Sequence, residues 1–145
     1  MEIKYLKKLA KNNIAIGKIR GVSQVDIQKI EKQLNVRFPA SYIEFLYLAG
    51  EDSGNLKLFP GTSRIKDLAN KDFRKFLNNL LQEHKPDLDR PFWAFTEYDD
   101  FQHFLYFYLD DASDDPVIYQ VEMTDVTEIK KRNVTFSQYI NNLIK

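Results

Sequence analysis

Few residues in this chain have side chains suited to acid–base or metal chemistry, and their spacing matches no catalytic motif. Histidine is the usual general acid–base at neutral pH, and the chain has two, His84 and His103. Neither stands at a recognisable spacing from a Ser or Glu, so a structural role is the better interpretation of both. The sequence has no cysteine, which excludes a thiolate nucleophile, a disulfide and a Cys-based metal site. It also has no phosphate-binding glycine loop, nucleophile elbow or zinc-protease pattern. We therefore expect no catalytic residue and no cofactor.

The densest group of oxygen ligands is the run Asp110-Asp111-Ala112-Ser113-Asp114-Asp115. A calcium loop of the EF-hand type needs alternating ligands, a central glycine and a terminal glutamate, and this run has none of these. Acidic residues in turns most often face water. The sequence therefore predicts a solvated acidic loop without a metal ion.

Charge is unevenly distributed along the chain, although the formal net charge is zero. Residues 1–86 hold sixteen Lys and Arg against nine Asp and Glu, a net charge of +7. Residues 87–128 hold twelve acids against the single Arg90, a net charge of −11, and residues 129–145 return +4. Such asymmetry predicts an acidic surface region. Whether that region binds a partner or only faces water stays open at this point.

Two helices with matching start signals occupy residues 23–50. Ser23 is followed three residues later by Asp26. At this spacing a hydroxyl caps the helix N-terminus and an acid can accept the N–H of the cap residue in return. After Pro39, Ser41 and Glu44 repeat that spacing and predict a second capped helix. Apolar residues at helical spacing follow each start: Ile27, Ile30 and Leu34, then Tyr42, Phe45, Leu46 and Ala49.

Other helices and turns frame this pair. Ile3 to Ala10 is typical of a short amphipathic helix, and Gly50 suits the left-handed residue that ends a helix. Leu56 to Phe59 predicts a short strand that ends at Pro60-Gly61. Asn70 can cap a helix that Pro86 closes, with an apolar stripe of Phe73, Phe76, Leu77, Leu80 and His84.

The pattern of the second half of the chain predicts β-strands. Residues 91–96, 104–109 and 117–121 are rich in aromatic and β-branched residues and are separated by acidic turns. The continuous apolar run of 104–109 predicts burial on both faces of the sheet. Thr135 with Gln138 predicts a final helix. We read residues 1–145 as a single α+β domain, with helices packed against a mostly antiparallel sheet of about four or more strands.

The two-helix segment resembles the opening signature of the SUKH superfamily. The resemblance rests on Asp26-Ile27, Ile30-Glu31, Leu34, Phe38-Pro39, Tyr42, Phe45-Leu46 and Gly50, and it continues more faintly to Phe136–Leu143. That superfamily includes fungal regulators of cell-wall glucan synthesis and bacterial proteins that neutralise polymorphic toxins. The signature consists of packing and capping residues, so the resemblance implies a fold and a binding role and no catalytic centre. Ala49-Gly50 stands where the family often has Asn-Gly, and residues 70–85 look like a variable insertion.

A nucleic-acid-binding role is a minor alternative. The helix pair could be read as a helix-turn-helix, and Lys4, Lys7, Lys8 and Lys11 form a basic first helix. However, we expect Glu44 on the exposed side of the second helix, which has no Lys or Arg to read bases or bind phosphates.

We therefore expect a non-catalytic, cytoplasmic protein whose partner is another protein, most simply an immunity protein that occludes a cognate toxin, with a nuclease as one candidate. No apolar run approaches the length of a membrane span. The alternative is a regulatory scaffold like the fungal members. The oligomeric state cannot be read from the sequence. The predicted contact residues combine turn carboxylates with neighbouring aromatic rings: Asp99, Asp100, Asp110, Asp111, Asp114, Asp115, Tyr98, Tyr106 and Tyr108.

Overall fold

The computed structural model describes residues 1–11, 17–56, 63–84, 90–98, 103–122 and 128–144. These residues form helices and one sheet in the following order: α1 (Lys7–Lys11), α2 (Gln24–Leu34), α3 (Ala40–Ala49), α4 (Ile65–Leu68), α5 (Lys71–His84), β1 (Phe92–Tyr98), β2 (His103–Tyr108), β3 (Val117–Glu122), β4 (Glu128–Thr135) and α6 (Phe136–Leu143). The predicted α+β class is confirmed.

The sheet is an antiparallel meander in which neighbours in sequence are neighbours in space, in the order β1-β2-β3-β4. In the first hairpin Phe92 pairs with Tyr108 at one end and Tyr98 pairs with His103 at the other. A register shift between Ala94 and Thr96 marks a bulge in β1. The predicted strands at 91–96, 104–109 and 117–121 correspond to β1, β2 and β3.

Apolar clusters cover both faces of the sheet, as the unbroken hydrophobic run of β2 predicts. Leu105 and Phe107 face the larger cluster, which includes buried residues of α2, α3, α4 and α6. Phe104 and Tyr106 alternate with them and face a smaller cluster closed by Leu77 and Leu81 of α5, with Ala94 and Val121. The sheet is therefore a central layer, with α2, α3, α4 and α6 on one face and α5 on the other.

The single tryptophan lies at the centre of the larger cluster. Trp93 is fully buried, and its indole N–H donates to the hydroxyl of Tyr42 over 2.8 Å. Burial raises the pKa of Tyr42, so its hydroxyl stays protonated. The guanidinium of Arg74 on α5 stacks 4.4 Å above the Trp93 ring, and burial lowers the pKa of Arg74. These contacts join β1, α3 and α5.

Three of the predicted helix starts are confirmed. The hydroxyl of Ser23 accepts the N–H of Asp26, and Thr135 and Gln138 form a complete capping box. The side-chain oxygen of Asn70 accepts N–H groups at the start of α5. Asn35, with φ 53°, is the left-handed residue that ends α2.

The predicted cap of the next helix is wrong. The cap residue of α3 is Pro39, which makes no side-chain cap hydrogen bond, and the Ser41 hydroxyl is buried without a partner. The N–H of Ser41 is satisfied from a distant turn, by the carbonyl of Asp114 at 2.9 Å. Gly50 is also not left-handed, since its φ is −68°.

Glu44 lies inside the protein and not on the exposed side of α3. It is 5% exposed, and its carboxylate accepts the backbone N–H groups of Lys4, Tyr5 and Leu6 at 3.1, 2.9 and 3.0 Å. Within α3, Tyr47 is the exposed residue and every other one is buried or half-buried. A helix buried in this way offers no surface to a DNA groove, which argues against the helix-turn-helix interpretation.

Several further features differ from the predictions or lie outside the described residues. Strand β4 has no counterpart in the predicted strands, because apart from Ile129 and Val134 its residues are polar or charged. The predicted strand 56–59 begins at Leu56, which is buried outside any strand, and 57–60 lie outside the described residues.

On α5, Phe76 of the predicted apolar stripe is 50% exposed, and Leu81, which was not predicted, is buried. The His84 side chain and Pro86 are also outside the described residues.

Candidate functional site

The loop between β2 and β3, residues 109–116, carries four of the nine predicted contact residues and is called the acidic turn below. Three backbone hydrogen bonds attach it to the fold. The N–H of Leu109 donates to Pro91 at 2.9 Å, and the carbonyls of Asp114 and Pro116 accept from Ser41 of α3 and Phe136 of α6. The acidic turn therefore lies against the N-terminal ends of two helices and is held in one position.

One predicted contact residue has an internal role. The carboxylate of Asp115 accepts the backbone N–H of Ser137 at 2.9 Å and its hydroxyl at 2.6 Å. Ser137 lies in the first turn of α6, where an unpaired N–H and the helix dipole both favour an anion. Asp115 thus helps to cap α6, and this structural use competes with the predicted contact with a partner.

Two other carboxylates are paired with an arginine that the sequence reasoning did not select. The guanidinium of Arg90 lies 2.7 Å from an oxygen of Asp110 and 2.7 Å from an oxygen of Asp111. The hydrogen bonds from Arg90 hold the pKa of Asp110 below its usual value. The same guanidinium lies over the ring of Tyr108, 3.8 Å from its centre. Arg90 is the only Lys or Arg among residues 87–128, and this feature of the sequence could have identified it as the partner of these carboxylates.

Of the three predicted tyrosines, one is buried and one is half-buried, and the side chain of the third, Tyr98, lies outside the described residues. Tyr106 is 1% exposed and belongs to the smaller core cluster, so it offers no surface to a partner, which corrects its selection. Tyr108 is half-buried, and Tyr119 of β3 contacts it with ring centres 5.0 Å apart. Arg90, Phe92, Tyr108 and Tyr119 form what we call the Arg–Tyr face, at the end of the sheet next to the acidic turn.

The remaining predicted residues belong elsewhere. Tyr98 ends β1 opposite His103, at the far end of the hairpin from Tyr108. The six residues of β2 separate the two ends by about 17 Å. Asp99, Asp100 and the side chain of Tyr98 lie outside the described residues. The end of the sheet that carries the acidic turn therefore does not include Tyr98.

Within the described part of the chain, no group of three or more His, Asp or Glu side chains is placed to hold a metal ion. Among those same residues, no helix has the length and apolarity to cross a membrane. Together the acidic turn and the Arg–Tyr face combine three aromatic rings, one guanidinium and three exposed carboxylates, those of Asp110, Asp111 and Asp114. Tyrosine and arginine are the residues that most often dominate binding energy at protein interfaces.

Comparison with known proteins agrees with the resemblance seen in the sequence. Residues 21–142 match the SMI1 / KNR4 family (SUKH-1). No curated protein matches the chain. The match begins next to Ser23, the cap of α2, and ends within α6, so it leaves out α1 and the segment that Glu44 holds.

Proposed function

This chain belongs to the SMI1 / KNR4 family (SUKH-1), and from that premise we propose that it is a non-catalytic protein-binding domain that acts as an immunity protein. In this role it occludes a cognate toxin, and a nuclease is the class of toxin that best suits an acidic surface. The proposal places the protein in the cytoplasm, which its cysteine-free composition permits.

The observation that carries the proposal is the fixed position of the acidic turn beside the Arg–Tyr face. The turn is bonded to α3, to α6 and to the segment before β1, so little conformational freedom remains to be lost on binding. A preorganised surface binds more tightly than a flexible one with the same contacts. Its carboxylates attract a basic partner and speed the encounter, because complementary charge raises association rates.

The test is protection of growth. Toxin domains encoded beside this chain in its source genome are co-expressed with the wild-type chain and with the double variant Asp111→Lys/Asp114→Lys. We expect the wild type to protect and the double variant to lose protection. A matched control, Asp26→Lys/Asp67→Lys, makes the same charge change at exposed residues of α2 and α4 and should protect like the wild type. Both double variants should keep the wild-type circular dichroism spectrum.

Two results would contradict the proposal in different ways. Protection that survives the reversal of Asp111 and Asp114 would mean that the toxin binds another surface. A wild-type chain that protects against none of the neighbouring toxins would contradict the immunity role itself. Binding to several host proteins without protection would instead favour a regulatory scaffold, the role of the fungal proteins in the superfamily that this sequence resembles. A gel-shift assay with non-specific duplex DNA at low salt tests the nucleic-acid alternative, which predicts retardation.

A further inference from the structure

A cleft of about 190 Å³ opens between the loop that joins α2 to α3 and the acidic turn. Phe38 and Pro39, both buried, line one side of the cleft, and the half-buried Tyr108 and Leu109 line another. Asp114, which is exposed, also borders it. The lining of the cleft thus combines buried and half-buried apolar side chains with exposed polar and charged ones.

The walls of the cleft are held in place by the fold. The hydrogen bond from the N–H of Ser41 to the carbonyl of Asp114 ties the acidic turn to the first turn of α3, directly after Phe38 and Pro39. Ala112, which also lines the cleft, has φ 52°. This left-handed conformation costs about 1–2 kcal/mol for a residue with a Cβ, so the surrounding contacts enforce it. The cleft is therefore present before any partner arrives.

Size and charge describe what would fit. An apolar cavity of about 150 Å³ is large enough to bind benzene, so this cleft has room for one aromatic side chain. Around it the acidic turn contributes four aspartates, which Arg90 and Arg37 only partly balance, so the local net charge is −2. A chain that inserts an apolar side chain here is favoured if its neighbouring residues are basic.

We infer that this cleft is the anchor pocket of the binding surface, and that it takes one aromatic side chain presented by a basic segment of the partner protein. The inference rests on the proposed function, because it names the partner chemistry of the same surface. It adds Arg37, Phe38 and Pro39, in the signature segment of the sequence, to the residues that contact the partner.

A small aromatic probe tests the pocket without the partner. N-acetyl-phenylalaninamide is titrated into the ¹⁵N-labelled chain, and backbone amide shifts are followed. We expect saturable shifts at Leu109, Ala112 and Ser113 with a dissociation constant on the order of 1 mM, the range for a ligand of this size. N-acetyl-alaninamide should give no saturable shift. Absence of saturation with the aromatic probe would overturn the inference.

Matched variants locate the probe. Ser113 is exposed and lines the cleft, so Ser113→Phe fills the pocket and should abolish the shifts. Ser63→Phe makes the same change in a second cleft, of about 350 Å³, which is lined by charged residues such as Arg20 and Asp67. That control should leave the titration unchanged. Shifts that persist in Ser113→Phe, with a wild-type urea unfolding midpoint, would show that the probe binds elsewhere.

The charge part of the inference has its own measurement. Acetyl-Phe-Lys-amide should bind several-fold more tightly than acetyl-Phe-Glu-amide at low salt, and the difference should shrink at 0.5 M salt because screening weakens it. Equal affinities at low salt would contradict the preference for a basic segment. Probe binding without toxin protection would keep the pocket and reject the immunity role, whereas protection without probe binding would reject the pocket alone.

Discussion

Replacing Glu44 should destabilise the whole fold, because its carboxylate attaches the N-terminal segment to α3. Glu44 is 5% exposed, and its carboxylate accepts three successive backbone N–H groups, of which the bond from Leu6 is buried. Leu6 and Leu9 are themselves 0% exposed members of the larger core cluster. The segment is therefore part of the core, even though it lies outside residues 21–142 that match the family.

The expected loss of unfolding free energy in Glu44→Gln follows from the hydrogen bonds that the amide keeps and those that it loses. One oxygen of Glu44 accepts from Tyr5 and Leu6 and the other accepts from Lys4, so the amide oxygen can retain two bonds and the amide NH₂ must face a donor. A hydrogen bond to a charged group contributes about 1.5–3 kcal/mol and a neutral one about 0.5–1.5 kcal/mol. One bond lost and two weakened sum to about 3.5–6 kcal/mol, and the relief from burying a charge lowers the expected net loss to about 2–3 kcal/mol.

The assay is urea unfolding followed by the fluorescence of Trp93, together with hydrogen exchange at the amides of residues 4–6. We expect a lower unfolding midpoint at unchanged m-value and faster exchange at all three amides. Glu83→Gln, at an exposed residue of α5, is the matched control and should change stability by less than about 0.5 kcal/mol. A Glu44→Gln variant as stable as this control would refute the reasoning.

Three further outcomes follow from the acidic turn and the buried tyrosines. Asp115→Ala removes a cap from α6 and should lower the unfolding free energy, measured with urea, by about 1–2 kcal/mol. The control Asp114→Ala should change it by less than about 0.5 kcal/mol. Equal losses in the two variants would contradict the capping role. Ala112→Gly relieves the left-handed strain at φ 52° and should raise the unfolding free energy by up to about 1 kcal/mol, and a lower melting temperature would contradict this. Burial raises the pKa of Tyr139 from 10.0 to about 12, so the unfolded state loses a proton that the folded state keeps, and stability should fall as the pH rises from 10 to 12. The fall should be shallower in Tyr139→Phe, and parallel pH profiles of the two proteins would exclude a contribution from this group.

Local signals were readable from the sequence, because their partners lie three residues apart. Ser23 with Asp26 and Thr135 with Gln138 needed no knowledge of the fold to predict two helix starts. Side chains whose partners are distant could not be assigned in this way. Glu44 stands at the spacing of a capping residue, yet it binds the N–H of Leu6, which is 38 residues away.

Strand β4 was not predicted for the same reason, since the residues that stabilise it are distant in sequence. Along β4, Lys130, Lys131 and Arg132 mask the alternation that identifies strands, and what stabilises them is across the sheet. Lys130 pairs with Glu122 at 3.4 Å, and Arg132 donates to Gln120 at 2.7 Å, both on β3. Cross-strand pairs of this type stabilise an edge strand that has few apolar residues, and they appear only once the register is known.

The acidic segment shows why net charge along a sequence overstates the charge that a surface presents. Of the four aspartates in the acidic turn, two are paired with Arg90 and Asp115 caps α6, which leaves Asp114, beside the cleft, as the aspartate whose charge these contacts do not balance. A charge-reversal experiment must therefore spare Asp115, because loss of protection there would follow from a weakened α6 as readily as from a lost contact. Arg90 must also stay, since its removal would leave Asp110 and Asp111 repelling each other and would disturb the ring of Tyr108. Reversal at Asp111 and Asp114 breaks the pair between Arg90 and Asp111 but keeps the cap on α6 and the pair between Arg90 and Asp110. With an unchanged circular dichroism spectrum, its effect on protection therefore reports on recognition.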